Sequence, residues 1–246
     1  MEYVVAIPSL SRPCALKRKT LELLDEHNIP KNSIYVFVIE SEYEIYKTII
    51  GDEYNLVCGV CGIAAQRNFI SQYFDMDTYI LSMDDDIEKV MFLDEDVDLT
   101  SVNNLKLIIN FMINTMESSQ INLAGVYPIA NAFYMRDVIT TDLRFCIGGF
   151  YIFKNKKLML STSAESKEDY QNTINYFIHD GSVLRFSNLA FKSKKHTCGG
   201  LGKQRDALNA YAASYLVNTY PTVCVYRKNS VTEIRLKRNI KLNLQI

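Results

Sequence analysis

Thr78-Tyr79-Ile80-Leu81-Ser82-Met83, running straight into Asp84-Asp85-Asp86, decides how this chain is read. The run is short, mainly apolar and free of Gly or Pro, as a buried strand is. It ends on three carboxylates. Side chains two apart on a strand point the same way, so Asp84 and Asp86 are expected to share one ligand while Asp85 faces away. Two carboxylates held together repel, and a hard divalent cation, Mg²⁺ or Mn²⁺, relieves that repulsion. Such an ion can bridge a diphosphate and offset its charge as it leaves. A solvated acidic turn is the plain alternative, and the elements upstream argue against it.

Immediately before this strand, Gly62 to Phe74 reads as a helix opening Gly-Ile-Ala-Ala-Gln-Arg-Asn. Further back lie a short strand (Asn55 to Val60), a helix (Glu42 to Ile50) and a continuous apolar strand (Ile34 to Ile39). A helix from Ala15 to His27 and a first strand from Tyr3 to Pro8, followed by Ser9-Leu10-Ser11-Arg12-Pro13, complete the series. The order βαβαβαβ with short connections predicts an α/β fold, a mostly parallel Rossmann-type sheet flanked by helices. Ligands of such sheets bind outside the carboxyl ends of the strands. Those ends carry Ser9 to Arg12, Glu40 and the Asp84 triplet, so three separate stretches converge on one edge.

Downstream, Glu88 to Asp98 reads as an acidic loop and Val102 to Met116 as a helix. Ala124 to Tyr127 and Cys146 to Phe153 read as strands, and Glu168 to Phe177 and Arg205 to Asn218 as helices. The acidic first turn of the helix at Glu168 is electrostatically favoured. Nothing marks a linker or a repeat, so residues 1–246 read as a single domain.

The net charge of −1 conceals an asymmetry. Residues 185–246 hold twelve basic and two acidic side chains, a net of +10, which leaves −11 for residues 1–184. That split fits a polyanionic partner on the C-terminal side or a solvated basic surface. Six cysteines include one CxxC, Cys58 and Cys61, with no second pair to complete a zinc site. The thiols are expected to be reduced and mostly buried. No apolar run approaches the roughly 20 residues of a membrane-spanning helix. The opening MEYVVAIPSL lacks a basic stretch before an apolar one, so it does not read as a signal peptide. A cytoplasmic, non-secreted protein is expected, in the host cytoplasm if the source is viral.

A strand with a polar loop, then Gly62-x-x-x-x-Arg67-Asn68, then a strand into an Asp-x-Asp, resembles the GT-A glycosyltransferases. More narrowly, three stretches resemble the glycosyltransferases associated with TET/JBP-type dioxygenases, which include the base J glucosyltransferase and phage relatives. These are Ile7-Pro8-Ser9-x-x-Arg12-Pro13, Gly62 to Ile70 and Met83-Asp84-Asp85-Asp86-Ile87. Glu168-Asp169-Tyr170, Asp180-Gly181 before Arg185-Phe186, and Gly199-Gly200 followed by Arg205 add to that likeness. The resemblance implies a nucleotide-sugar half over residues 1–100 and an acceptor half over 101–246. Pro8, Ser9 and Arg12 would hold the nucleoside, and Glu40 the base or ribose. Arg67 and Asn68 would lie near the ribose or pyrophosphate, with Asp84 and Asp85 on the same donor. Asp84 and Asp86 would bind the metal, with His196 completing its shell. Asp169 or Glu168 would act as general base.

Each assignment has a plainer rival. Arg12 and Arg67 could be surface cations, and Glu168 and Asp169 could only cap a helix. His196, in Lys-Lys-His-Thr-Cys-Gly-Gly, could be a metal ligand, a phosphate contact or neither. Gly148-Gly149 and Gly199-Gly200 either admit close ligand approach or simply form turns.

The resemblance implies a metal-dependent transfer from a UDP-sugar, with Mn²⁺ or Mg²⁺, to a 5-hydroxymethylpyrimidine in DNA. Lys194, Lys195 and Arg205 would then grip phosphates beside Gly199 and Gly200, and Gly148 and Gly149 would face the acceptor. A protein or glycan acceptor is the second reading, and a metal-dependent nucleotidyltransferase the third.

Overall fold

The computed structural model describes residues 2–193, 205–238 and 240. The first half alternates strand and helix: β1 (Val4–Pro8), α1 (Pro13–Leu16), α2 (Glu22–Glu26), β2 (Ile34–Val38), α3 (Tyr43–Ile50), β3 (Asn55–Cys58), α4 (Ile63–Tyr73) and β4 (Tyr79–Met83). A π-helical turn, Lys17–Leu21, joins α1 to α2. Then come β5 (Ile87–Leu93), β6 (Leu99–Ser101), α5 (Leu105–Ser119), β7 (Leu123–Val126), β8 (Ile139–Thr140) and β9 (Phe150–Lys154). The chain ends in α6 (Glu168–Asp180), β10 (Leu184–Phe186), β11 (Leu189–Ser193), α7 (Arg205–Thr219), β12 (Cys224–Tyr226) and β13 (Ile234–Leu236).

An eight-stranded sheet in the order β3-β2-β1-β4-β9-β7-β10-β8 forms the centre. β1 pairs in parallel with β2 and β4, and β2 with β3. β9 runs against both β4 and β7, and β8 against β10. The first strands read as unbroken apolar runs because both sheet faces are covered. Val5 and Ile7 join one core with α2, α3 and α5, whereas Ala6, Phe37 and Ile80 join another with α4, α6 and α7.

Several sequence expectations are corrected. Glu88 to Asp98 is not a loop throughout: β5 has Ile87, Val90, Met91 and Leu93 buried and Lys89 exposed. It pairs with β6 and β11 in a second, three-stranded sheet. Only residues 94–98 turn, where Asp94 Oδ1 accepts from the amides of Asp96 and Asp98 at 3.1 and 2.8 Å. The strand lacks a clean period-two pattern, and the acids around it gave the stretch the look of a loop. The strand expected from Cys146 begins at Phe150, so Gly148 and Gly149 lie in the loop before it. The thiols are not mostly buried: Cys14, Cys58 and Cys61 are exposed, and Cys146 and Cys224 are buried. Cys198 lies outside the described residues. No described helix is long and apolar enough to cross a membrane.

One polar side chain ties the end of α4 to the loop after β9. Asn155 is fully buried, and its amide donates to the carbonyls of Ser71, Phe74 and Asp75 at 2.8–3.1 Å while accepting from Ser71 Oγ at 2.7 Å. Asn155→Ala removes those bonds, while Lys157 Nζ still donates to the Ser71 and Phe74 carbonyls and the Thr78 amide to that of Asp75. It should lower the unfolding free energy by about 1–2 kcal/mol, the scale of a lost buried hydrogen-bonding side chain whose partners keep other donors, in urea denaturation at an unchanged m-value.

Candidate active site

A cleft of about 550 Å³ opens at the carboxyl ends of β1 and β4. Its walls bring together Pro8, Ser9, Leu10 and Arg12 from the first loop, Ile39 after β2, and residues 60–63, Gln66 and Arg67 at the start of α4. Asp84, Asp85, Ile147, Gly148, Gly149, Glu165, Glu168 and Asp169 close it.

The acid turn is held from three sides. Thr20, fully buried in the π-helical turn, donates to the Asp84 carbonyl at 2.8 Å and accepts from the Ile87 amide at 2.9 Å. Ser9 Oγ donates to Asp85 Oδ2 at 2.5 Å and meets the Tyr46 hydroxyl at 2.7 Å. Arg12 reaches Asp85 at 3.1 Å and Asp86 at 3.4 Å. Asp85 therefore does not face away from its neighbours' site. The chain turns after Met83, so strand alternation no longer applies, and Asp85 is buried against the first loop. Burial pushes its carboxyl up to about 6, with Ser9 and Arg12 opposing. Burial also raises Asp84, which Arg67 opposes and the charge of Asp86 reinforces.

Arg67 is not a surface cation. It is 7% exposed, and its guanidinium donates to Glu168 Oε1 (3.1 Å), Ser82 Oγ (2.8 Å), the Tyr151 hydroxyl (3.0 Å) and the Gly148 carbonyl (3.0 Å). Asp84 Oδ1 lies 3.7 Å away. Burial opposes its charge, but Tyr151, Glu168, Asp84 and Asp169 outweigh that and raise its pKa.

Gly148 and Gly149 form the floor between two groups of acids. A Cβ on Gly149 would sit 3.0 Å from Asp84 Oδ2 and overlap the Phe191 ring. One on Gly148 would lie 3.0 Å from Arg67, 3.3 Å from Asp169 and 3.3 Å from Glu168. Two consecutive residues without side chains thus span the gap from the Asp84 carboxylate to the Asp169 side chain. Asp169 accepts from the Gly148 and Tyr170 amides at 3.4 and 2.9 Å. Burial raises the pKa of both Glu168 and Asp169, and Arg67 offsets part of the shift.

Not every expected residue lines the cleft. Glu40 is exposed and opens a short 3-10 turn, Glu40–Glu42, while Ile39 contributes to the wall. Asn68 is engaged elsewhere, exchanging two 2.8 Å hydrogen bonds with the Leu160 backbone. Asp180 and Gly181 serve the scaffold: Asp180 accepts from the Asn122 backbone and side-chain amides, and Gly181 ends α6 at φ +75°. Arg205 opens α7. Lys194, Lys195, His196, Gly199 and Gly200 lie outside the described residues.

Two contributors escaped the sequence reading. Glu42 accepts from the Ser11 amide at 2.8 Å and its hydroxyl at 2.5 Å, pinning the first loop where Ser11 takes φ +58°. Glu165 caps α4 from a hundred residues away, accepting from the amides of Ile63 and Ala64, while Gly62 turns at φ +94° beneath it. Neither has a local signal, because each partner is distant in the chain.

The cleft wall carries two guanidinium groups, Arg12 and Arg67, against five carboxylates. Among the described residues no three His, Cys, Asp or Glu side chains group as a metal site. Asp84 lines the cleft with hard oxygen donors of the kind a divalent cation takes, whereas Asp86, 3.4 Å from Arg12, is not part of its wall.

No family model matches the sequence, and no curated protein matches it. Solved structures do. S. aureus TarS aligns with a TM-score of 0.55 and 12% identity over 89% of this chain and 40% of that one. Glucosyl-3-phosphoglycerate synthase of Mycobacterium tuberculosis, with Mn²⁺ and UDP-glucose, gives 0.55 and 10% over 96% and 86%. The mannosyltransferase PcManGT of Pyrobaculum calidifontis, with GDP-Man and Mn²⁺, gives 0.50 and 11% over 87% and 61%. The fold is of the GT-A type. The chain spans well under half the length of that TarS chain.

Carboxyls raised in the folded state make stability depend on pH. Folded Asp85, Glu168 and Asp169 keep protons that the unfolded chain has released, so their contribution falls as pH rises. The window runs from the ordinary carboxylate range near 4 to about 6 for Asp85 and through the raised values of the other two. Wild-type melting temperature, followed by circular dichroism without metal or nucleotide, should fall more steeply across that window than that of Asp169→Asn. Parallel curves would rule out the buried acid as a source.

Proposed function

We propose that the chain is a metal-dependent glycosyltransferase that moves a sugar from a UDP-sugar to a hydroxyl acceptor, a 5-hydroxymethylpyrimidine in DNA. The observation that carries the transfer chemistry is the pair of acid groups, Asp84 and Asp169, facing one another across Gly148-Gly149. One acid group answers the need to hold a leaving diphosphate and the other the need to accept a proton. The GT-A fold is shared with solved structures that hold UDP-glucose or GDP-Man with Mn²⁺. The acceptor assignment rests on the resemblance to the base J type enzymes and on the +10 C-terminal quarter, since phosphate neutralisation supplies most non-specific DNA affinity.

In this reading the whole of residues 1–246 acts as one domain, with residues 1–100 for the donor and 101–246 for the acceptor. Leu10, Ile39 and Val60 give the cleft an apolar side for the nucleobase, and the Ser9 to Arg12 loop positions the nucleoside. Asp84 and Asp86 hold Mn²⁺ or Mg²⁺, with His196 as a third ligand. Held there, such an ion would supply charge that offsets the diphosphate. Carboxyls outnumber the two arginines in the wall, so a cation would ease the approach of an anionic donor. Asp169 takes the proton of the acceptor hydroxyl as its oxygen bonds to the anomeric carbon and the bond to the diphosphate breaks. Glu168, engaged by Arg67, steadies the neighbouring backbone and leaves Asp169 the freer acid. In a duplex the target base must leave the stack to reach this floor.

A donor screen with Mn²⁺, scored for UDP release with and without hydroxymethylated DNA, tests the proposal. UDP should raise the melting temperature more than ADP or GDP. Asp86→Asn should abolish turnover and weaken UDP-sugar binding with the fold intact, and full activity in EDTA would overturn the metal role. Asp169→Asn should lower kcat by about 10²–10⁴-fold, the range for a lost general base, with little change in donor affinity. Turnover should rise with pH as Asp169 loses its proton. A DNA-independent transfer to a peptide or glycan would replace the acceptor while leaving the donor chemistry standing.

A further inference from the structure

Arg185 sits on β10 with 7% of its surface exposed, and its Nε has no hydrogen-bond partner among the described residues. No ion pair to it occurs among those residues; its guanidinium lies 5.0 Å over the Tyr127 ring. A buried cation without a counter-ion is costly to maintain. Nearby charges worsen the imbalance: burial lowers the pKa of Arg185, and Arg144 and Arg238 lower it further. Arg144 is answered by Asp142 at 2.6 Å.

Arg238 is also part of a second cleft, of about 550 Å³, on the β12–β13 hairpin. Arg227, Lys228, Arg235, Leu236 and Arg238 line it, so among the described residues no acid belongs to its wall. The four cations are all exposed, and none forms an ion pair among the described residues. The only acid in this stretch, Glu233, is also exposed. Arg238 thus belongs both to the charges felt by the buried Arg185 and to the wall of the open hairpin cleft.

The hairpin adjoins the candidate base. Tyr170 follows Asp169, stacks on Phe145 with ring centroids 4.1 Å apart, and donates from its hydroxyl to the Ile234 carbonyl at 3.4 Å. The hairpin thus packs directly on the residue next to Asp169.

We propose that Arg185, Arg238 and the hairpin cations Arg227, Lys228 and Arg235 form a phosphate-binding track for the phosphodiester backbone of a nucleic-acid acceptor. The buried arginine supplies a fixed anchor for one phosphate, and the open cleft neutralises its neighbours along the strand. Five cations exceed what a single small phosphate monoester needs, which favours a polymer. The inference rests on the DNA-acceptor reading and adds residues that lie apart from Lys194, Lys195 and Arg205.

Anisotropy of a labelled duplex carrying a hydroxymethylated pyrimidine, across a salt series, tests it. Arg235→Gln/Arg238→Gln alters only exposed side chains, so folding should be retained. It should weaken duplex binding by about tenfold or more and flatten the slope of log affinity on log salt by about 2 units, at ~0.9 per lost contact. Mn²⁺-dependent UDP binding, by calorimetry, should not change. Arg185→Gln should weaken duplex binding in the same direction. Wild-type affinity and slope in the double variant would overturn the track, and sugar transfer to that duplex would show the DNA-acceptor reading to stand without it. Weakened binding in the variants, with no transfer by the wild type, would support the track and sink the transfer reading. Inorganic phosphate that shifts the melting temperature of wild type but not of Arg185→Gln, with no salt-sensitive duplex binding, would overturn the nucleic-acid class.

Discussion

A buried guanidinium has five N–H groups to satisfy and a charge to balance, and Arg67 meets both demands by drawing separate parts of the chain to one point. Its partners come from β4, β9, the glycine loop before β9, and the first turn of α6. The Asp84 carboxylate lies within Coulombic reach as well. The first of the three acids and the acid pair of α6 are therefore positioned against a common cation. Removing that cation would leave Glu168 buried and uncompensated, which is far more disruptive than loss of a surface pair. The cleft geometry follows: the Gly148 carbonyl is fixed by Arg67, a side chain at Gly149 would overlap the Phe191 ring, and one at Gly148 would crowd Arg67 and the α6 acids.

The first loop is organised by a different economy. Tyr46, Ser9, Asp85 and Arg12 form a chain of polar contacts under the cleft, with Glu42 holding Ser11 from outside. Asp85 is buried in that network, with Ser9 and Arg12 as partners, which gives the middle residue of the triplet a reason to be Asp rather than a small apolar residue.

Much of this was legible in the sequence because the parallel half of the sheet is buried on both faces. Its strands appear as unbroken apolar runs, and strand ends in such folds collect ligands, so Ser9, Arg12 and Asp84 could be placed on one edge from pattern alone. The second half was harder to read. β5 carries Glu88 and Lys89 among its apolar residues, buries Val90 and Met91 in succession, and runs into Asp94-Glu95-Asp96, so it offers no strict alternation to read. β10, β12 and β13 are three residues long and carry too little pattern to stand out. Asn68 and Arg67 are adjacent and look alike as site candidates, yet the helix turns one toward β4 and the other toward Leu160. Glu165 could not be anticipated, since its task is defined by an amide pair across the fold.

Thr20 reaches the acid turn from the π-helical stretch Lys17–Leu21. A π turn amounts to one residue more than a regular helix would use. Each residue of an α-helix advances the side chains by about 100°. The clamp on Asp84 and Ile87 is therefore set by chain length as well as by the choice of threonine. A relative could keep every residue type seen in this helix, lose one position between Lys17 and Leu21, and still form a sound helix. Its threonine would face elsewhere, and the turn of three acids would lose its tether. Alignment of such chains by residue identity alone would miss the change, whereas the count of residues between Pro13 and Leu24 would reveal it.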